Sequence, residues 1–171
     1  MSCDAIGDGG LEQITTGANV FSGGGKRIDA VMKTKGFVQS LLFAEIKHHE
    51  TDLVKKTAYR EPDVYQASNE LSGAVSQLQK STHKAIKQLQ DMHSQYSNGG
   101  DYEYDILTIK PRQVLVVGNL EQFVSGNGIN LEKLTSFELF RRGQQEIEIL
   151  TFDELFARAE FIAQATILSN N

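Results

Sequence analysis

Apolar residues recur at steps of three and four from Val64 through Leu71, Leu78 and Ala85 to Met92, and this pattern most narrows the folds open to the chain. A stripe of that period lies along one side of an amphipathic helix, here about eight turns long, and a single helix cannot bury its own stripe. A sheet must cover it. The residues upstream supply one: Arg27–Met32 alternates polar and apolar, 33–36 carries turn chemistry, and Val38–Lys47 is a second extended run, together a hairpin with Asp29 near the middle of its first strand.

Downstream, 104–109 reads as a short extended segment before Pro111, and Val114–Gly118 as an all-apolar strand buried on both faces. Leu131–Arg142 reads as a helix with Leu131, Leu134, Leu139 and Phe140 as core contacts, and Ile147–Leu150 as a strand. Thr151 and Glu154 fit a capping box at the start of a last helix. Two strands, helix, strand, helix, strand, helix predicts an α/β domain with a mixed β-sheet flanked by helices. Residues 1–25, rich in Gly, Ser, Thr and Asp, read as a flexible lead-in or a truncated boundary, and the domain proper as 26–171. Gly23–Lys26 lacks the spacing of a phosphate loop and reads as a flexible turn. Residues 48–63, polar and containing Pro62, read as a loop.

The second strand of the hairpin ends in charge. Glu45 and Lys47 are two residues apart, so in a strand they project from one face, and antiparallel pairing brings Asp29 toward them. Two carboxylates and an amine converging on one spot make a place to hold Mg²⁺ against a phosphate. The competing account is a strand end with a cross-strand ion pair. The formal charge of −5 argues against coating nucleic acid through bulk charge, yet is compatible with a nuclease, whose acidic metal site lowers the net count. No run approaches a membrane span and no secretory signal is present, so the expected location is cytoplasmic, with no membrane contact. The single cysteine, Cys3, forms no internal disulfide.

Asp29 on the first strand, Glu45-Ile46-Lys47 on the second and a long helix next resemble the PD-(D/E)XK, restriction-endonuclease-like nucleases. That resemblance implies Asp29, Glu45 and the Ile46 carbonyl as Mg²⁺ ligands, with Mn²⁺ able to substitute, and Lys47 as the group that orients or deprotonates the attacking water. It also implies a site glutamine on the helix, here Gln77. By helical geometry Gln77 lies about 100° from the centre of the apolar stripe. Arg27-Ile28-Asp29, Ala44-Glu45-Ile46-Lys47, Tyr59-Arg60, 70–78, Lys110-Pro111-Arg112, Val116-Val117-Gly118 and 149–155 together resemble the C-terminal nuclease domain of the Shedu anti-phage defence proteins. This implies a DNA endonuclease of bacterial antiviral defence, assembled as a homo-oligomer, with recognition supplied by an N-terminal sensing region missing from this chain. A non-catalytic DNA-binding or assembly domain with the same fold, or a restriction or repair nuclease, are the alternative readings.

Arg60, Lys80, His83 and Lys84 are the candidate phosphate contacts; a charged run on a helix is also what a solvated face looks like. His48 and His49 follow Lys47, point apart in extended chain and read as structural, and cations at Arg141–Arg142 suit a helix C-terminus.

Overall fold

The computed structural model describes residues 11–16, 29–34, 39–96, 106–126 and 128–169. Its strands are β1 (Leu11–Thr16), β2 (Ala30–Thr34), β3 (Gln39–Ile46), β4 (Ile106–Val116), β5 (Val124–Ser125), β6 (Gly128–Ile129) and β7 (Ile147–Leu150). The helices are α1 (Asn69–Tyr96), α2 (Leu131–Gly143) and α3 (Phe152–Ser169), with a 3-10 turn at Leu120–Phe123. Five strands form a mixed sheet in the order β1-β2-β3-β4-β7, flanked by the three helices, and β5-β6 is a separate small hairpin. This is the α/β architecture that the sequence predicts. Among the described residues no helix is long and apolar enough to cross a membrane.

The chain divides into two compact units, one built from residues up to Glu45 and from Ser76–Val114, the other from Ile46–Val75 and from Leu115 onward. In the first, β1, β2 and β3 are antiparallel neighbours, with Ala30 opposite Ala44, Val31 opposite Phe43 and Lys33 opposite Leu41. Val31, Leu41 and Phe43 are buried, and so are Leu78 and Ala85 on α1. β1 falls inside the stretch read as a lead-in and pairs with β2 through a bulge at Gln13–Thr15. The rest of 1–25, the Gly23–Lys26 turn included, lies outside the described residues.

Three boundaries differ from the sequence reading. α1 begins at Asn69 rather than Val64, because the buried Ser68 hydroxyl accepts from the Leu71 N–H at 2.9 Å and so caps the helix. Val64 and Ala67 match the helical period yet form isolated extended bridges with Arg60 and Val54. Pro111 does not divide the fourth strand; β4 runs through it, with Lys110 turned to φ 51° in the left-handed region. Asp29 sits in a bend immediately before β2 rather than near its middle. Asp is a poor strand former, and the ladder to β3 ends at Ala30.

In the second unit, β7 hands its Leu150 carbonyl to the Val117 N–H at 2.9 Å, and Phe123 and Phe137 pack with ring centroids 5.9 Å apart. Phe137 is the buried anchor of α2, whereas the expected core residues Leu131 and Leu139 point outward, Leu139 being 70% exposed. Asn130 caps α2 by accepting from the Lys133 N–H at 3.0 Å. Gly118 has φ +62°, and a Cβ there would lie 2.7 Å from the Thr51 carbonyl oxygen, so only glycine fits without a shift. α2 and α3 are clasped by Arg141, which spans both carboxylate oxygens of Glu154 at 2.9 and 2.7 Å and reaches Glu138 at 2.6 Å. Half of the expected capping box forms. Glu154 accepts from the Thr151 N–H at 3.0 Å, while the fully buried Thr151 hydroxyl donates to Glu154 instead of capping the helix.

Burial of Glu154 acts to raise its pKa, but the hydrogen bonds from Arg141 and from the Thr151 backbone outweigh it and hold the carboxyl below its ordinary 4.5. A depressed folded-state pKa stabilises the protein above the unfolded value, and that contribution is lost as pH falls through the folded one. The urea midpoint of the native chain should therefore exceed that of Glu154→Gln at pH 7, with the gap closing below about pH 4.5. A gap unchanged between pH 7 and pH 3 would contradict this account of the clasp.

Candidate functional site

Glu45 is the last residue of β3 inside the first unit, and it is 3% exposed. A carboxylate taken out of water needs hydrogen bonds or opposite charge to offset lost hydration. One such bond is short and direct: Gln77 Nε2 on α1 donates to Glu45 Oε1 at 2.6 Å. Gln77 reaches it because of its position on α1, whose buried stripe runs through Leu71, Ala74, Leu78 and Ala85. Gln77 sits about 100° to one side of that stripe, at the border between sheet-facing and solvent-facing sides.

Asp29 is half-buried. The β2–β3 register places Ala30 opposite Ala44, so Asp29 and Glu45 each lie one residue beyond the last paired position, at the same end of the ladder. Glu45 and the Gln77 amide are thus joined in the first unit, and Asp29 lies next to the end of the same ladder.

Ile46 and Lys47 fall in the second unit. The Ile46 side chain is exposed at the end of β3. Lys47 is half-buried, and its N–H donates to the Val116 carbonyl at 2.8 Å, fixing the backbone just past the strand. His48 and His49 are both exposed, with ring centroids 4.3 Å apart; the His48 Nδ1 accepts from the Glu50 N–H at 3.2 Å. Among the described residues no group of three or more His, Cys, Asp or Glu side chains is arranged to hold a metal ion. The donor set at the Asp29–Glu45 corner is two carboxylates, with a carbonyl as the third oxygen in the expected set. Hard oxygen donors of this kind suit Mg²⁺.

Lys80, His83 and Lys84 are exposed on α1. Lys80 and Lys84 lie within about 60° of Gln77 on its solvent side, some 5 and 10 Å further along the axis. They form a basic row leading away from the half-buried Gln77 amide. Arg60 is exposed in the second unit, in a tight turn closed by paired Arg60 and Val64 backbones. A cleft of about 430 Å³ in that unit is lined by Thr51, Asp52, Lys55, Lys56, Ser68 and Glu70 among others and contains none of the expected site residues. The reading missed the engagement of Arg141, whose partner Glu138 stands at the helical i−3 position and was visible in the sequence; Glu154 lies on a different helix and was not.

A family model described as Shedu protein SduA, C-terminal, matches residues 8–156. The chain is 31% identical over 152 residues to the Shedu protein SduA of Bacillus cereus (strain B4264), an alignment covering 87% of this chain and 37% of that protein. The chain thus spans little more than a third of the length of the curated relative it matches.

A double-mutant cycle tests the corner itself. Glu45→Ala and Gln77→Ala, singly and together, should give a coupling of about 1–3 kcal/mol in urea denaturation, the range for a hydrogen bond to a buried charge. Additive losses would mean that the 2.6 Å contact contributes nothing to the fold.

Proposed function

The chain belongs to the Shedu SduA C-terminal family, and on that footing we propose that it is a Mg²⁺-dependent DNA endonuclease acting in bacterial anti-phage defence. The observation that carries this reading is the buried Glu45 carboxylate, oriented by Gln77 at the end of the β2–β3 ladder beside which Asp29 lies. Asp29, Glu45 and the Ile46 carbonyl are the groups that would hold the cation, with Mn²⁺ able to take its place. When bound, the cation offsets negative charge that builds on the phosphate during hydrolysis. Gln77 fixes the Glu45 carboxylate without neutralising it, since an amide donates a hydrogen bond but carries no charge. Lys47 acts on the attacking water in one of two ways: as an ammonium whose positive charge orients it and favours hydroxide, or as a neutral amine that accepts its proton. Lys80, His83 and Lys84, with Arg60, contact backbone phosphates and position the strand rather than read its sequence. The whole protein acts in the cytoplasm, and recognition rests with a region outside the stretch aligned here.

The same reading makes the working form a homo-oligomer. Phe152, Leu155, Phe156, Ile162 and Ile167 fall on one side of α3, and all but Phe152 are exposed. A helix face this apolar is the kind of surface that a second copy covers. Phe156→Glu combined with Ile162→Glu should shift the chain to a smaller mass in sedimentation velocity, and an unchanged mass would remove α3 from the interface.

Catalysis is tested on supercoiled plasmid. The native chain with Mg²⁺ should nick it, and Glu45→Ala and Lys47→Ala, each shown to be folded, should slow nicking about 100-fold or more. Undiminished nicking by both variants would sink the assignment. Cation and DNA binding without nicking by the native chain would make it a non-catalytic binding domain of the same fold.

A further inference from the structure

In the second unit, residues 53–68 form an arm whose backbone is held along its length. At its root Leu53 and Val54 are buried, and the Leu53 N–H donates to Gln122 Oε1 at 2.8 Å. Val54 bridges Ala67, and the Lys55 N–H donates to the Gln66 carbonyl at 2.9 Å. Nearer the tip, Tyr59 N–H reaches the Val64 carbonyl at 2.8 Å and Val64 N–H reaches the Arg60 carbonyl at 3.0 Å. α2 braces this end: the Tyr65 N–H donates to Ser136 Oγ at 3.3 Å, and Lys133 Nζ lies 5.3 Å from the Tyr65 ring centroid.

This ordering does not serve to bury the residues it presents. Tyr59 is 67% exposed beside the exposed Arg60, and among the described residues no hydrogen bond, ion pair or ring contact engages either side chain. Packing therefore does not account for the tip. A tyrosine whose backbone is held and whose ring stands in water offers a π-face with only two side-chain torsions left to order, which is what a stacking platform requires.

We propose that Tyr59 is a stacking platform for an unpaired base of single-stranded DNA. The inference takes from the preceding reading only the class of ligand, a polynucleotide. Charge favours a base over a duplex backbone. Arg60 is flanked by the exposed Glu61 and Asp63, Lys55 Nζ is bonded to Gln66, and Lys56 Nζ lies 3.8 Å from Asp52. The acids repel a continuous row of phosphates laid along the arm, whereas one base approaching the tip meets a neutral ring, with the Arg60 cation beside it for the phosphate of that nucleotide. Stacking of this kind tolerates any sequence.

The chain contains no tryptophan, so Tyr59→Trp creates a single reporter at the tip. Titrating this variant with a short oligothymidylate should quench the tryptophan emission, and a matched duplex should quench it far less. Tyr59→Ala should weaken single-strand binding, read by anisotropy of a labelled oligonucleotide, about tenfold, and Tyr59→Phe should restore it. Emission unchanged at an oligonucleotide concentration that saturates the anisotropy would overturn the proposal, as would equal affinity of the alanine variant or no single-strand binding at all. A tryptophan signal that depends on protein concentration without DNA would assign the tip to a protein contact and overturn it equally. Nicking with a silent tryptophan would spare the catalytic reading and remove this one; quenching without nicking would do the reverse.

Discussion

A carboxylate buried at the end of a strand constrains everything placed around it. Glu45 is almost wholly withdrawn from water, and loss of hydration for an ionised group costs several kcal/mol unless donors or opposite charge replace the solvent. Gln77 supplies one such donor from α1, and that bond ties the helix to β3 in both rotation and position. A helix that packed only through Leu71, Ala74, Leu78 and Ala85 could turn by a few tens of degrees and still bury most of its stripe. With Gln77 bonded to Glu45 it cannot, because each residue step is 100° and 1.5 Å. Apolar burial thus sets which side of α1 faces inward, and one polar contact at the border sets the phase.

The second unit shows the same division of labour with different chemistry. Phe123 and Phe137 fill its interior, but the relation of α2 to α3 is fixed by Arg141, whose planar fork meets Glu154 through two short bonds and Glu138 through another. Gly118 governs a second junction. Its N–H donates to the His48 carbonyl, its own carbonyl accepts from the Phe152 N–H at the start of α3, and the space beside its Cα is already taken by Thr51 and Leu53. Position and approach there are settled by the absence of a side chain.

Features decided within a few residues were legible in the sequence, and those decided by distant partners were not. β7 and the start of α3 follow from an apolar run and a Thr-x-x-Glu pattern, both local. Gln77 could be placed because helix geometry alone puts it at the border of the stripe. Val64 and Ala67 carry the helical period without being helical, since Ser68 captures the Leu71 N–H and starts the helix later. β1 went unseen because Leu11–Thr16 is a short strand inside a Gly- and Thr-rich stretch, and what makes it a strand is pairing with β2, twenty residues on. Pro111 reads as a break, and the left-handed turn at Lys110 that carries the strand through it has no local signature. Leu131 and Leu139 were misplaced because α2 offers apolar residues on more than one side, and Phe123 on another element selects the side of Phe137.

The identity of residue 77 bears on the chemistry as well as on the fold. An arginine or lysine there would pair with Glu45 and spend its charge, leaving the carboxylate a weak ligand for anything else. A third acid would place three negative charges in one half-buried corner and force one of them to take a proton. Glutamine does neither: it fixes the direction of the Glu45 lone pairs and leaves the charge in place. In the proposed reading Asp29 and Glu45 together carry the two negative charges that one divalent cation balances. A net acidic chain is then no obstacle to acting on a polyanion, because what the reaction meets is the local sum at this corner and along the Lys80–Lys84 flank of α1, not the total.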